Sequence, residues 1–257
     1  KNWCNIYITM HAFSLSLALA KKNFKLRNEG SYLGVIWYLL NPLAIFGILF
    51  IVFSNSIGAN IQHYPLYLLL GVIIFNFFRQ ATVQATRAFY NSRGIIKSIN
   101  FPKESIIAST VLQSLYVHVF EIIIFIIFLV VSDVSLAYIW VYPFLLFFLT
   151  IFTYGISLIL ASISVYFMDF ENIWTAVSQA LWFITPIFYA LDGQGYLLTI
   201  NLFNPMYYFI IIARSSILYG SAPLLWEVGM MMGYSVVTFM AGILLFNRVK
   251  ERLVENF

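Results

Sequence analysis

The stretch YLLTINLFNPMYYFIIIARSSILYG, Tyr196 to Gly220, decides how this chain is folded. It is hydrophobic enough to suggest one crossing of a membrane. Asn204-Pro205 divides it, however, and Arg214 interrupts its second half. The unbroken run Met206 to Ala213 falls far short of the roughly 20 residues that a helical span needs. Counted as a span it changes the parity of the whole topology. Counted as two short helices it does not.

Six longer apolar tracts surround it and read as spans: 33–56, 65–89, 105–131, 136–167, 173–191 and 224–247. A kink is expected at Asn41-Pro42 in the first, and a tilt or kink near Pro143 in the fourth. The basic residues form three clusters. The N-terminal flank holds Lys1, Lys21, Lys22, Lys25 and Arg27. The segment after the second tract holds Arg87, Arg93, Lys97 and Lys103, and the tail, 248–257, holds Arg248, Lys250 and Arg252. Only Arg79 and Arg214, of 14 Lys and Arg residues, lie elsewhere. Basic flanks mark the cytoplasmic side, so both termini are expected inside and the number of spans even. A seventh span would put the basic tail outside. Residues 193–222 are therefore expected to enter from the outer face and return, broken at Asn204-Pro205. Such backbone is tolerated at membrane depth only against protein or a water-filled cavity.

Composition points the same way. The chain is 62% hydrophobic and 9% charged, where a soluble domain is about half apolar and about a quarter charged. The net charge of +4 does not indicate nucleic acid, because the cations sit in the flanks of apolar tracts. The one cysteine, Cys4, excludes an internal disulfide and a Cys-based zinc site. No cleavable leader is expected, since Asn5, His11, Ser14 and Ser16 interrupt the first 20 residues.

Residues 1–29 carry an apolar stripe at Trp3, Ile6, Met10, Phe13, Leu17, Ala20 and Phe24, with Asn5, Thr9 and Ser16 off it. With its cationic end this reads as an interfacial helix on an anionic leaflet; a weak transmembrane helix is the other reading. The inner half of the second span is polar: Arg79, Gln80, Thr82, Gln84, Thr86 and Arg87. Lipid penalises such faces, so they should meet protein, water or headgroups.

The chemistry of an enzyme is absent from the pattern. No phosphate-binding loop, zinc-protease motif or nucleophile elbow occurs, and no catalytic residue or metal ligand set is expected. His118 and Glu121, at i and i+3 in the third span, are the best intramembrane ionisable pair. They either brace the bundle or act in transport. Of the many aromatic residues, Tyr154, Trp174, Trp182 and Tyr189 are candidates for a row on which sugar rings stack; packing is the alternative for each.

These segments resemble the permease subunit of ABC-2-type polysaccharide exporters, the group that moves O-antigen and teichoic acid chains. KKNFKLRNEGSYLGVIWYLLNP resembles the family's entry to the first span, and YPLYLLLGVIIFNFFRQA its second span. GIIKSINFPKE resembles its cytoplasmic loop, and ASISVYFMDFENI its fourth span and inner turn. TPIFYAL and NLFNPMYYFIIIARSSILYG resemble the outer end of its fifth span and its periplasmic re-entrant pair. Met168 departs from the pattern, where relatives often carry Arg. The resemblance implies an all-α, six-span membrane protein of the bacterial inner membrane, working as a homodimer with two copies of a separate ATPase that binds ATP and Mg. No cofactor is expected on this chain. The substrate would be a polyprenyl-pyrophosphate-linked polysaccharide, passing between the two permease copies; teichoic acid, capsule, lipid or drug are alternatives. The loop at 91–104 would be a coupling helix, with Gly94, Ile95, Ile96, Lys97, Ile99, Phe101 and Pro102 offered to the ATPase. Lys21, Lys22, Lys25 and Arg27 would attract the pyrophosphate headgroup, or serve only as topology signals.

Two other classes fit less well. A membrane glycosyl- or acyltransferase needs clustered carboxylates or histidines, and Asp169 and Glu171 are the one close acidic pair. A secondary transporter commonly shows internal repeats, and none is evident. Replacing Lys21, Lys22, Lys25 and Arg27 together with Gln should lower export at matched expression. Unchanged export with correct insertion would leave these residues as topology signals.

Overall fold

The computed structural model describes residues 14–25, 36–98, 101–167, 169–191 and 195–250, leaving aside the side chains of residues 38, 39, 95, 97 and 98. The expectations placed on Arg27, Ile99, Met168 and residues 251–257, and on the side chains of Ile95 and Lys97, lie outside those residues. All regular structure among the described residues is helical. Helix α1 covers residues 14–25. The others are α2 (Ile36–Phe53), α3 (Tyr64–Asn91), α4 (Arg93–Ser98), α5 (Glu104–Val131), α6 (Val141–Ser164), α7 (Phe170–Ile184), α8 (Gly195–Leu202), α9 (Pro205–Ala213) and α10 (Leu225–Val249). Helices α3, α5, α6 and α10 are each long and apolar enough to cross a membrane, and the α8–α9 pair makes a fifth if it counts as one span.

Helix α3 is the central post. Pro65 falls in its first turn, where the missing N–H costs nothing. The apolar run Leu66–Phe78 that follows is almost wholly buried, packed on α5 and α6 and touched by α2, α7 and α9. Phe78 stacks on Phe152 of α6, and Phe152 in turn meets Phe209 of α9. Lower down, Thr82 and Thr86 are buried and return their hydroxyls to the helix's own carbonyls, at Phe78 and Val83. In lipid such packing gains little from the hydrophobic effect, since tails are as apolar as leucine. Close van der Waals contact and interhelical hydrogen bonds have to hold the bundle.

The tightest contact is between α6 and α10, which pack along each other. Gly155 and Gly242 face one another there. A Cβ on Gly155 would meet the backbone at Thr238 and Phe239 at 2.6 Å, and one on Gly242 would meet the Gly155 carbonyl oxygen at 2.5 Å. Ser235 adds a bond across the pair, its hydroxyl donating to the Phe148 carbonyl at 3.1 Å.

Within the expected span 173–191 the helix is shorter than the span. Helix α7 begins at Phe170 and stops at Ile184, because Pro186 pushes Thr185 into extended backbone (φ −69°, ψ 134°). Thr185 still donates its N–H to the Leu181 carbonyl, and residues 186–191 then run without helical hydrogen bonding. Every exposed carbonyl there needs a donor. Arg214 supplies several. It is 2% exposed, with Nη1 donating to Pro186 at 2.6 Å, Nη2 to Ile187 at 2.7 Å, and Nε and Nη2 to Tyr67 of α3 at 3.2 and 2.9 Å. Its guanidinium carbon lies 3.3 Å from the Tyr67 ring centroid. Gly71 leaves the room, since a Cβ there would come 2.6 Å from Nη2. The hydroxyls of Tyr64 and Tyr67 donate to Phe188 and Tyr189, and that of Tyr189 to Phe183 and Ile184. Asn201 donates to Ile184 and Asn204 to Thr185 Oγ1.

The chain breaks at Asn204-Pro205, as the sequence suggests. The α8–α9 pair bends by 105° there. Asn204 caps α9, accepting from the Met206 N–H at 3.1 Å. Helix α9 continues as a π turn, Arg214–Leu218, and the arginine at its head is the one that holds 185–191. The expected fourth span 136–167 is also shorter. A 3-10 turn, Leu136–Tyr138, precedes α6, and Pro143 sits in the first turn of α6, where it starts the helix and bends nothing. In α1, Ser16 lies on the inward face beside Ala20, both buried, against the expectation that it lies off the stripe. Phe24 reaches Tyr116 of α5 edge to face.

Arg214→Leu should orphan carbonyls that each cost about 1–3 kcal/mol when buried without a partner. The expected result is a clearly lower unfolding midpoint in detergent, with Gly71→Val giving a similar loss by displacing the guanidinium. A midpoint equal to the parent's in both variants would contradict this role.

Candidate functional site

A polar hollow lies between α2, α3 and α7. Its larger part, about 590 Å³, is lined by Trp37 and Asn41 of α2, Asn76, Arg79, Gln80 and Gln84 of α3, and Thr175 and Ser178 of α7. A smaller part, about 290 Å³, shares Asn76 and Arg79 and adds Gln179 and Trp182. The lining follows from helical spacing. Residues 76, 80, 84 and, one step round, 79 share a face of α3, while 175, 178, 179 and 182 share one of α7. Arg79 bridges the two helices, Nη1 donating to Gln179 Oε1 at 3.0 Å. Thr175 and Gln179 are exposed, so this wall of α7 shows amides and hydroxyls to whatever lies beside it.

Behind the hollow is a buried hydrogen-bonded chain. His118 is fully buried. Its Nδ1 meets Glu121 Oε2 at 2.9 Å and its Nε2 meets the Tyr142 hydroxyl at 2.8 Å. Asn76 Nδ2 donates to Glu121 Oε1 at 2.6 Å. The chain therefore ties α3, α5 and α6 together. Of the two readings of His118 and Glu121, the geometry matches bracing. The sequence did not pick out Asn76 or Tyr142, since neither is ionised and no spacing links them to α5.

The four aromatic candidates do not form one row. Trp182 lines the hollow. Trp174 meets Phe78 edge to face at 6.4 Å, and Tyr154 packs near Phe239 of α10 at 6.1 Å. Tyr189 is buried, with its hydroxyl on the α7 carbonyls. Trp37, unremarked in the sequence, stands at the hollow instead.

At the end of α3, the coupling segment forms α4. Ile96 is 6% exposed and packs with Ala85, Phe89, Ile106, Leu158 and Phe246. It anchors α4 to the bundle, which corrects its expected place on a surface offered to a partner. Phe101 is half-buried against the same cluster, with the Lys103 ammonium 4.6 Å from its ring centroid. Pro102 is half-buried too, while Gly94 is exposed, with nothing within 4 Å of an added Cβ. Beside α4 a cleft of about 700 Å³ is lined by Arg87, Tyr90, Arg93, Asp169 and Glu171, among others. Arg87 and Glu171 pair across it, linking α3 to α7. Lys21, Lys22 and Lys25 are exposed on α1. No group of three His, Cys, Asp or Glu side chains that could hold a metal occurs among the described residues.

Helices long and apolar enough to cross a membrane thus stand beside a polar hollow. Residues 15–218 match the ABC-2 type transporter family, and the chain belongs to it. It is similar to two proteins from Klebsiella pneumoniae, each named O-antigen export system permease protein RfbA. They are 26% and 27% identical over 252 residues, 95% of each chain. A protein of the same name from Myxococcus xanthus is 24% identical over 179 residues, 69% of each chain.

If bracing is the role of the buried chain, His118→Phe and Glu121→Gln should couple. A double-mutant cycle on thermal stability is expected to give an interaction of about 0.5–3 kcal/mol. Strict additivity would break the link.

Proposed function

We propose that the chain is the permease of an ATP-driven exporter of a lipid-linked polysaccharide, two copies working with two copies of a separate ATPase. The observation that carries this is the polar, tryptophan-flanked wall of α2, α3 and α7 at membrane depth. Lipid would penalise Asn41, Gln80, Gln84, Thr175 and Gln179, whereas a hydrated glycan offers hydroxyls to amides and C–H faces to Trp37 and Trp182. The wall is one-sided, which suits a pathway completed by a second copy. The names of the relatives favour an O-antigen-like polymer over other cargo.

In this reading there are six spans. Helix α2 covers about 27 Å, and α7 about 22 Å with the extended 185–191 lengthening it; these join α3, α5, α6 and α10. The α8–α9 pair is re-entrant from the outer face, and both termini are cytoplasmic. The ATPase docks at α4 and the cleft beside it. Because Ile96 is anchored among residues of α3, α5, α6 and α10, a push on α4 reaches the bundle directly.

Gly94→Trp tests the docking. The site is open, so the variant should fold with an unchanged unfolding midpoint. It should retain about tenfold less co-purified ATPase, the equivalent of about 1.4 kcal/mol. Deleting the chain's gene should leave the polymer, still on its carrier lipid, facing the cytoplasm. Normal surface polymer in the deletion would end the exporter reading, and full ATPase retention by Gly94→Trp would move the docking site elsewhere.

A further inference from the structure

Two arginines lie at membrane depth, and their donors are used very differently. Arg214 spends its guanidinium on the carbonyls of Tyr67, Pro186 and Ile187 and on the Tyr67 ring. Arg79 makes one hydrogen bond among the described residues, to Gln179, where a guanidinium has five N–H donors. No carboxylate among the described residues pairs with it, and no Asp or Glu lines either part of the hollow it enters. Close by, the Nε2 of Gln84 is buried with no partner among the described residues. The hollow thus carries a positive charge and spare donors with no anion to match among the described residues.

Depth gives this meaning. Along α3, Arg79 stands about 18 Å from Asn91 and about 22 Å from Tyr64, near the middle of the crossing. A cation left there without a counterion is costly, and such residues mark substrate pathways. A phosphate group meets the same barrier with the opposite sign, and a planar guanidinium binds phosphate through paired N–H donors. We propose that Arg79, with Gln84 and the amides of Asn41 and Gln80, is a transit site for a phosphate group crossing the membrane. This rests on the reading of the chain as a permease for a lipid-linked polymer and goes further by placing where the charge is held. The phosphate could belong to the carrier lipid's diphosphate or to a phospholipid headgroup; the chemistry at Arg79 is common to both.

The test uses the permease–ATPase complex in nanodiscs, with Trp37 and Trp182 at the hollow as fluorescent reporters. The probes are a polyprenyl diphosphate, the uncharged polyprenol, and phosphatidylglycerol. R79Q should weaken diphosphate binding about tenfold, as expected for loss of a charge-assisted bond, while R79K, which keeps the charge but not the paired donors, should lose less than R79Q. Polyprenol binding should not change. Gln84→Leu, which keeps the cation, should weaken the diphosphate alone by about threefold and serves if R79Q loses its fold. A matching R79Q loss for phosphatidylglycerol would support the site and identify the headgroup as a source. Equal diphosphate binding by the parent, R79Q and Gln84→Leu overturns the proposal, as does an equal loss for polyprenol. A parent complex that retains its ATPase but binds no phosphate probe overturns it too, and with it the carrier-lipid reading. Diphosphate binding by the parent that R79Q leaves unchanged overturns the transit site while leaving the carrier-lipid reading in place.

Discussion

Non-helical backbone within a bundle of apolar helices has to find its hydrogen bonds in the protein, because lipid offers none. Residues 185–191 are such a segment. Pro186 ends α7, and the carbonyls of Phe183, Ile184 and Pro186 to Tyr189 accept from side chains: Arg214, Tyr64, Tyr67, Tyr189 and Asn201, while that of Thr185 accepts from the Ile187 N–H. The donors come from α3, from the extended segment itself and from the α8–α9 pair, so satisfying this stretch is also what docks the bent pair onto the post of the bundle. Gly71 belongs to the same solution, since the guanidinium occupies the place of its absent side chain. The π turn starting at Arg214 is in keeping with a helix whose geometry is locally adjusted to a demand outside it.

The lower half of the bundle is built on a different logic. There Ala85, Ala88, Phe89, Ile96, Ile106, Ile107 and Phe246 form a separate cluster under α4. The two ends divide the work: one is held by polar bonds to irregular backbone, the other by packing of small and branched side chains. Between them lies the hollow, with the chain Asn76–Glu121–His118–Tyr142 at its back. Asn76 has a place in both, so its amide connects the lining to the bracing.

Much of this was legible in the residues. The polar face of α3 and the break at Asn204-Pro205 were plain, because spacing and proline act locally. The end of α7 was not read, although Thr185-Pro186 carries the same local signal, because hydropathy continues smoothly through Ile187, Phe188 and Tyr189. Arg214 read only as an interruption. Its three carbonyl partners come from distant parts of the chain, and backbone acceptors leave no mark on sequence. Ile96 was read as apolar and therefore offered outward. The direction it faces depends on Phe246 and Leu158, residues far away in the chain. Exposed positions such as Trp37 and buried ones such as Tyr189 cannot be told apart by residue type, which is why the aromatic candidates scattered.

The Gly155–Gly242 crossing carries a mechanical implication. Contacts made by side chains can switch rotamers and slide, but here backbone rests on backbone, and there is nothing to re-pack. Helices α6 and α10 therefore behave as one stiff strut rather than as two members of a bundle. Any widening of the hollow is therefore more easily taken up by α2 and α7, whose contacts with α3 are far sparser than those within the strut. One edge is locked backbone to backbone by glycine, while the other is held to α3 by side-chain bonds such as Arg79–Gln179 and Arg87–Glu171, which can exchange partners.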